Sequence, residues 1–286
     1  MKTLTLRLRG GLGNQLFQCF AGIEIAKLQN RDLVLDKSWY RGEFHRNGLL
    51  DSRKFELDEY EFLNRITVSE SNLFFTSPRF ERVIKSLPRK VALAVGNVHE
   101  LSSKEFSGRR SVSTFGHWID TNYLPSRDRA RELLVSELIG KSEDYSSALA
   151  EISRSNCVAL HVRGGDYHNF PEVYGVLTSE YFRSALDKIG AKGKGIWLFS
   201  DTPEHAKEVL GKNVPIEVDV SSELNLSSAQ TLALMSCAST LIASNSTFSW
   251  WAAYANTKGA IVFPKKYTQN LDTLSSGLYV KNWDYL

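Results

Sequence analysis

The apolar run Cys157-Val158-Ala159-Leu160 leads straight into His161-Val162-Arg163-Gly164-Gly165-Asp166-Tyr167. A strand that ends in an imidazole and a guanidinium, followed by two glycines, places a cation beside a backbone free to turn sharply. Loops at strand ends are where chemistry tends to sit. The ligand such a group suits is anionic, because a guanidinium holds a phosphate through two parallel charge-assisted hydrogen bonds. Other apolar runs of the same half end in polar residues too: Ser200 and Asp201, then Asp219, then Ser244, Asn245, Ser246 and Thr247. His161 and Asp201 can hydrogen-bond a base or a ribose. Ser246 and Thr247 open a helix, with Phe248 next, and the free N–H groups and positive dipole end of a helix suit a phosphate. Plainer uses stand beside each of these. Ser246 can be only an N-cap, Arg163 can pair with Asp166, and Phe248, Trp250 and Trp251 can be core packing, with at least one of the two tryptophans buried. The Asn245-Ser246-Thr247 sequon carries no meaning without secretion.

A second glycine loop, Gly10-Gly11-Leu12-Gly13-Asn14-Gln15-Leu16, supplies the first two glycines of a dinucleotide fingerprint, but Leu16 stands where the third belongs. That argues against a nicotinamide-dependent oxidoreductase. Two readings remain, a tight strand-to-helix turn with Asn14 as cap, or a loop that lets a neighbouring domain approach closely. No D-x-D triplet occurs in the chain, so a carboxylate pair chelating a metal and a diphosphate has no address, and no metal site is expected. Arginine and helix ends have to neutralise any leaving group instead.

The elements that position these residues are legible from periodicity. Residues 3–9 alternate as a strand, 14–29 carry apolar residues at helix spacing, and 32–36 form a second strand. From about Lys37 to Arg110 the sequence is aromatic and charged without a clear period, and irregular segments with short helices are expected. Residues 127–140 read as a helix closed by Gly140, and the polar stretch 141–147 as the start of a domain boundary. From Cys157 onward strands and helices alternate regularly, with Thr202 as N-cap, Pro203 at the first helical position and Gly211 as terminator of one of the helices. Such alternation implies an α/β fold with a parallel, doubly wound sheet in the C-terminal half, whose ligands bind outside the carboxyl ends of the strands. The expected domains are 1–150 and 151–286.

Composition narrows the class. A chain of 286 residues, 42% apolar and 23% charged, is ordinary globular material with room for two modest domains. Its net charge of +3 is mild and scattered, which argues against nucleic acid as partner and leaves room for weak attraction to an acidic membrane surface. The three cysteines, Cys19, Cys157 and Cys237, lack metal-ligand spacing and read as reduced core residues. No stretch approaches the length of a membrane span, and the N-terminus reads as a strand and not a signal peptide. A cytoplasmic protein of bacterial style is expected.

The segments GGLGNQLFQ from Gly10, HVRGGDY from His161 and SNSTFSWWAAY from Ser244, in that order and spanning most of the chain, resemble the bacterial alpha-1,2-fucosyltransferases of glycosyltransferase family 11. FGHWIDTNYL, from Phe115 to Leu124, is similar to that family's G-Y-W/F-Q segment. The resemblance implies a metal-independent GT-B-like fold, two Rossmann-like domains facing a cleft, with an acceptor-side N-terminal domain and a GDP-sugar site in the C-terminal one. It places Arg163 on the arginine that holds the donor diphosphate, His161 and Asp201 near guanosine contacts, and Gly11, Gly13, Asn14, Gln15, Asn245, Ser246, Thr247 and Phe248 on donor-binding segments. The sequence departs from the family pattern twice. Gly164 replaces the second arginine of H-x-R-R-G-D, a charge that Arg7 or Arg9 can supply across the cleft, and Cys19 replaces a tyrosine.

The implied reaction is inverting transfer of L-fucose from GDP-beta-L-fucose to the 2-hydroxyl of a terminal galactose in an O-antigen or capsule type glycan, free or lipid-linked, by an enzyme at most peripheral at the inner membrane and without a cofactor. GDP-colitose is a near alternative donor, and a non-catalytic nucleotide-sugar-binding protein the reading from another class. Inversion needs a proton acceptor within hydrogen-bond reach of the attacking hydroxyl. Asp166, His168 and Glu172 follow Arg163 closely, and His117 can approach from the N-terminal domain. Asp166 is preferred and Glu172 next, since a carboxylate needs only a modest upward pKa shift to serve. Asp166 can equally fix the glycine turn or orient Arg163, and His168 and Glu172 can be solvated loop residues.

Overall fold

The computed structural model describes residues 2–41, 53–70, 78–101, 104–105, 108–165, 167 and 171–286. Two compact units make up the chain, Met1–Pro125 and Ser126–Leu286.

The N-terminal unit carries strand β1 (Thr3–Arg7), helix α1 (Leu12–Leu28), strands β2 (Asp32–Asp36) and β3 (Thr67–Ser69), helices α2 (Pro78–Ser86) and α3 (Arg89–Val95), and strands β4 (Asn97–His99) and β5 (Ser111–Phe115). The strands pair in the order β3-β2-β1-β5-β4, every pairing parallel. Leu4 and Leu6 of β1 are fully buried, and so are Leu16, Phe17 and Ile25 of α1. The expected irregular stretch therefore contains two short strands, β3 and β4, as well as its helices.

The C-terminal unit begins with helix α4 (Arg127–Arg131), which relaxes into a π-turn over Glu132–Ser136, and helix α5 (Glu143–Ile152). Then follow β6 (Val158–Val162), α6 (Pro171–Tyr174), α7 (Ser179–Lys188), β7 (Ile196–Ser200), α8 (Pro203–Leu210), β8 (Ile216–Asp219), α9 (Val220–Glu223), α10 (Ser228–Met235), β9 (Thr240–Ile242), α11 (Thr247–Ala255), β10 (Ala260–Phe263), the short pair β11 (Lys266–Thr268) and β12 (Leu271–Asp272), and β13 (Asp284–Tyr285). The main sheet runs β13-β10-β9-β6-β7-β8, all parallel. Counted from β6, this is the doubly wound order 3-2-1-4-5-6, whose winding reverses between β6 and β9. All five residues of β6 are buried, as expected of a strand covered on both faces. Val158, Leu160 and Val162 pack with Leu198, Ile242, Val262 and Phe182 in one core. Both Trp250 and Trp251 are fully buried, and the Trp250 indole N–H donates to the Leu278 carbonyl at 2.8 Å.

The division between the units lies before Ser126, not at the boundary after residue 150 that composition suggested. Arg127 donates to the carbonyl of Tyr254 at 3.0 Å and to that of Asn256, and Arg131 to the carbonyls of Ser236 at 2.9 Å and Ala255 at 3.3 Å. These are the unsatisfied carbonyls at the C-terminal ends of α10 and α11, where cations are stabilising, so residues 126–150 belong with the second unit. The polar stretch from Lys141 is a helix start and not a linker: the Ser142 hydroxyl caps α5 by accepting from Tyr145 N, with Glu143 and Asp144 in the first turn.

Candidate active site

The reversal of winding puts the loops after β6 and β9 side by side at one end of the C-terminal sheet, and a single hydroxyl joins them. Ser244 Oγ donates to the His161 carbonyl at 2.7 Å and accepts from Arg163 N at 3.1 Å, while Ser249 of α11 accepts from Ser244 N at 2.9 Å. On this frame Arg163 Nη1 meets Asp201 Oδ2 at 2.6 Å. Asp201 Oδ1 accepts from Gly164 N at 2.9 Å, so one carboxylate at the end of β7 both orients the guanidinium and fixes the glycine turn. These are the two structural roles weighed for Asp166, which lies outside the described residues, as does His168. Gly165 has φ +32°, and a Cβ there would stand 2.2 Å from Asp201 Oδ2, so a side chain cannot be accommodated without breaking the pair. The Arg163 guanidinium also lies 5.5 Å from the Tyr167 ring centre, and Tyr167 stacks on Tyr174 at 4.6 Å. A guanidinium has five N–H donors, enough to keep a carboxylate and take an anion together.

His161 is 4% exposed and its Nδ1 has no hydrogen-bond partner among the described residues. Burial pushes the imidazole down to about 4; Asp201 works against that shift and Arg163 adds to it. A neutral, buried imidazole with an unused ring nitrogen next to a cation marks a place for a polar ligand group. Phe248 lies 5.8 Å away, ring to ring.

The residues after β9 act mainly as framework. Asn245 is 3% exposed, and its amide nitrogen donates to the carbonyls of Tyr174 at 2.9 Å, Gly175 at 3.0 Å and Tyr267 at 3.2 Å. That side chain ties its own loop to the end of α6 and to β11. The Ser246 hydroxyl caps α11 by accepting from Ser249 N at 3.1 Å, its plainer use. Thr247 is half-buried and hydrogen-bonds the Tyr267 hydroxyl. Glu172, in the short helix α6, is exposed.

The glycine loop of the N-terminal unit has a different character. Its cap is Gly11, with no side-chain cap bond, and not Asn14, which sits inside the helix with its N–H on the Gly11 carbonyl at 3.0 Å. Glu56 does the capping: its carboxylate accepts from Leu12 N at 3.1 Å. Gln15, fully buried, donates to the carbonyls of Gly10 at 3.0 Å and Lys54 at 2.8 Å and accepts from Glu56 N at 3.0 Å. Gly13 is buried one turn inside. A helix N-terminus already facing a carboxylate repels a pyrophosphate, a second argument against a nicotinamide cofactor. Arg7 is 3% exposed and lies 3.7 Å from Asp36, whereas Arg9 is half-buried.

His117 stands on the loop after β5, exposed. Partial desolvation on the loop, and then the Arg9 guanidinium, lower its imidazole below the ordinary 6.5, with Glu100 opposing them. Sequence reasoning missed Glu56 and Glu100. Each lies in the aperiodic stretch and acts on a loop remote in sequence, so no local signal announced either.

An α/β fold of parallel sheets whose winding reverses belongs to the doubly wound class, in which ligands bind outside the carboxyl ends of the strands at the switch point. Its solved relatives agree in fold: a mutant of Arabidopsis thaliana FUT1 in complex with GDP aligns with 92% of this chain and 70% of its own at TM-score 0.52 and 13% identity. The alpha-1,6-fucosyltransferase NodZ, co-crystallised with GDP, aligns with 91% of this chain and 94% of its own at TM-score 0.50 and 15% identity. The fold is thus GT-B-like. The sequence profile of glycosyl transferase family 11 matches residues 115–286, more than half of the chain, and the protein belongs to that family. Among curated relatives, the O-antigen biosynthesis glycosyltransferase WbnK of Escherichia coli is 28% identical over 91% of this chain and 93% of its own. An alpha-1,2-colitosyltransferase of Escherichia coli is 27% identical over 89% and 88%, and a galactoside 2-alpha-L-fucosyltransferase of Caenorhabditis elegans 26% identical over 91% and 71%.

Proposed function

We propose that this glycosyltransferase moves L-fucose from GDP-beta-L-fucose to the 2-hydroxyl of a terminal galactose in a surface glycan, with inversion at the anomeric carbon. The observation that carries the reading is the crevice between β6 and β9, where Arg163 is oriented by Asp201 beside the neutral, buried His161. In the reaction the acceptor oxygen forms its bond to C1 as the bond from C1 to the diphosphate oxygen breaks; the hydroxyl proton passes to a base and GDP departs. Arg163 meets the charge that grows on the diphosphate, and a donor aimed at developing charge is where such sites gain most of their rate. His161 and Asp201 fit the guanosine, and the loop of Gly11, Gly13, Asn14 and Gln15, its helix start closed by Glu56, is given no contact with the diphosphate. The proton acceptor is Asp166, Glu172 or His117. His117 is exposed on its loop, and an imidazole is a common proton acceptor, which keeps it beside the two carboxylates.

The donor is tested by incubating pure protein with galactosides and either GDP-fucose or GDP-colitose and detecting the glycoside by mass spectrometry. Product from GDP-colitose alone replaces fucose by colitose, the sugar in the name of one relative; GDP binding without product from either makes the protein a nucleotide-sugar binder. The base is identified by turnover beside GDP affinity for Asp166→Asn, Glu172→Gln and His117→Ala, since loss of the base removes turnover and spares GDP.

No helix among the described residues is long and apolar enough to cross a membrane. Peripheral contact with an acidic cytoplasmic membrane face belongs to the proposal. Exposed Arg82, Lys85 and Lys90 are interspersed there with Val83 and Val91, which are 54% and 44% exposed, a mixture that suits anionic headgroups.

A further inference from the structure

The loop Phe115-Gly116-His117-Trp118 leaves β5 under backbone constraint. Gly116 has φ +149°, Trp118 φ +57°, and Glu100, just past the end of neighbouring β4, φ +46°. A positive φ is costly for a side chain as large as an indole, and two such residues at one place persist only where the surroundings hold them. The Glu100 side chain is what holds this loop. Its Oε1 accepts from His117 N at 2.9 Å and from Trp118 N at 3.2 Å, and its own N–H donates to the Phe115 carbonyl at 2.8 Å. The side chain lies so close across Gly116 that a Cβ there would be 2.1 Å from Glu100 Cγ. Glu100 is anchored in turn: Arg89 of α3 donates to the carbonyls of His99 and, at 2.7 Å, Glu100, and is itself held by Glu105 through Nε at 2.6 Å. Two successive N–H groups that converge on one oxygen form a small anion nest, and here the anion is supplied by the chain.

We infer that Glu100 is a positioning residue for His117: its carboxylate folds the Gly116–Trp118 turn and thereby sets where the imidazole stands at the strand ends of the N-terminal unit. The inference rests on the reading of His117 as a proton acceptor, and it acts through the backbone without contact to substrate. Glu100 also has an electrostatic part. Among the described residues, the charged and titratable groups that act on the imidazole are Arg9, Lys85, His99 and Glu100, of which Glu100 favours the protonated ring.

The experiment compares Glu100→Ala, Glu100→Gln and His117→Ala in the full chain by kcat, acceptor KM, GDP affinity, pH–rate profile and NMR titration of the His117 imidazole. Glu100→Ala is expected to lower kcat on the order of a hundredfold, the cost of a catalytic group displaced by about an ångström, with GDP affinity unchanged. Glu100→Gln still offers an oxygen to both N–H groups but no charge; it should recover most of kcat and move the acid limb of the profile to lower pH. A purely structural Glu100 would lower every parameter with the melting temperature and leave that limb in place, which overturns the proposal. So does wild-type behaviour of both Glu100 variants when His117→Ala is inactive. If His117→Ala retains turnover, the base reading fails, and positioning is then decided by the backbone amide signals of His117 and Trp118: signals unmoved in Glu100→Ala refute it, and signals displaced in Glu100→Ala but restored in Glu100→Gln support it. Should Glu100→Ala fail to fold, Glu100→Asp, whose shorter side chain cannot reach both N–H groups, is read in the same way.

Discussion

The two units put the same device, a parallel sheet whose winding reverses, to opposite electrostatic use. At the strand ends of the N-terminal unit, backbone N–H groups are already matched by carboxylates of the chain: Glu56 closes the start of α1 and Glu100 the turn after β5. At those of the C-terminal unit, one carboxylate, Asp201, holds a guanidinium in place, and beside it lies an imidazole nitrogen with no partner among the described residues. A rim that has filled its own anion sites suits a neutral, hydroxylated ligand; a rim that orients a cation suits a diphosphate. The likeness of two Rossmann-like units is therefore a likeness of scaffold, and side chains at the loops divide the labour.

The largest effect that would break this comparison is at Arg163. Arg163→Ala is expected to raise the barrier by about 3 kcal/mol, roughly a hundredfold or more in kcat, and Arg163→Lys to recover little, because an ammonium lacks the fork. Steady-state kinetics with saturating donor check this, and near wild-type turnover of the lysine variant would make Arg163 structural.

Next comes the buried imidazole. His161 titrates near its ordinary value of 6.5 in the unfolded chain and at about 4 in the folded one. Between those values the unfolded state binds the extra proton, so stability is lost as pH falls through that window, by up to about 3 kcal/mol. Unfolding midpoints from pH 7 to 4 should therefore fall less steeply for His161→Asn than for wild type. Equal slopes would mean that His161 is paired or solvated.

A smaller effect is expected at the carboxylate that closes the glycine loop. Glu56→Ala leaves the Leu12 N–H without its partner and should cost on the order of 1–2 kcal/mol in stability, seen as a lower melting temperature, with GDP affinity unchanged. Weakened GDP binding in that variant would show that the N-terminal rim takes part in donor binding more directly than the comparison allows. The smallest effect, none at all, is expected of EDTA, since Arg163 is assigned the work of a metal ion. Activity lost to EDTA and restored by a divalent cation would reverse that assignment.

Much of the C-terminal unit was determined by local sequence. The apolar run ending in His161 and Arg163, the Thr202-Pro203 start of α8 with Gly211 at its end, and the buried Trp250 and Trp251 all follow from patterns that a few neighbouring residues display. Strands β3 and β4, of three residues each, and β13, of two, were not legible, because so few residues cannot show a period and only their parallel partners make them strands. The polar start of α5 looked like a linker because the same residue types cap helices and fill loops. Tertiary structure alone decided which carboxylate orients Arg163. Asp201 reaches Gly164 across 37 positions of sequence, and the Glu56 carboxylate reaches Leu12 across 44. The physical reason is common to both: periodicity and capping arise from neighbours along the chain, whereas a parallel sheet brings together strand ends separated by whole helices, and which side chain fills a loop's unpaired N–H groups is settled only once those ends have met.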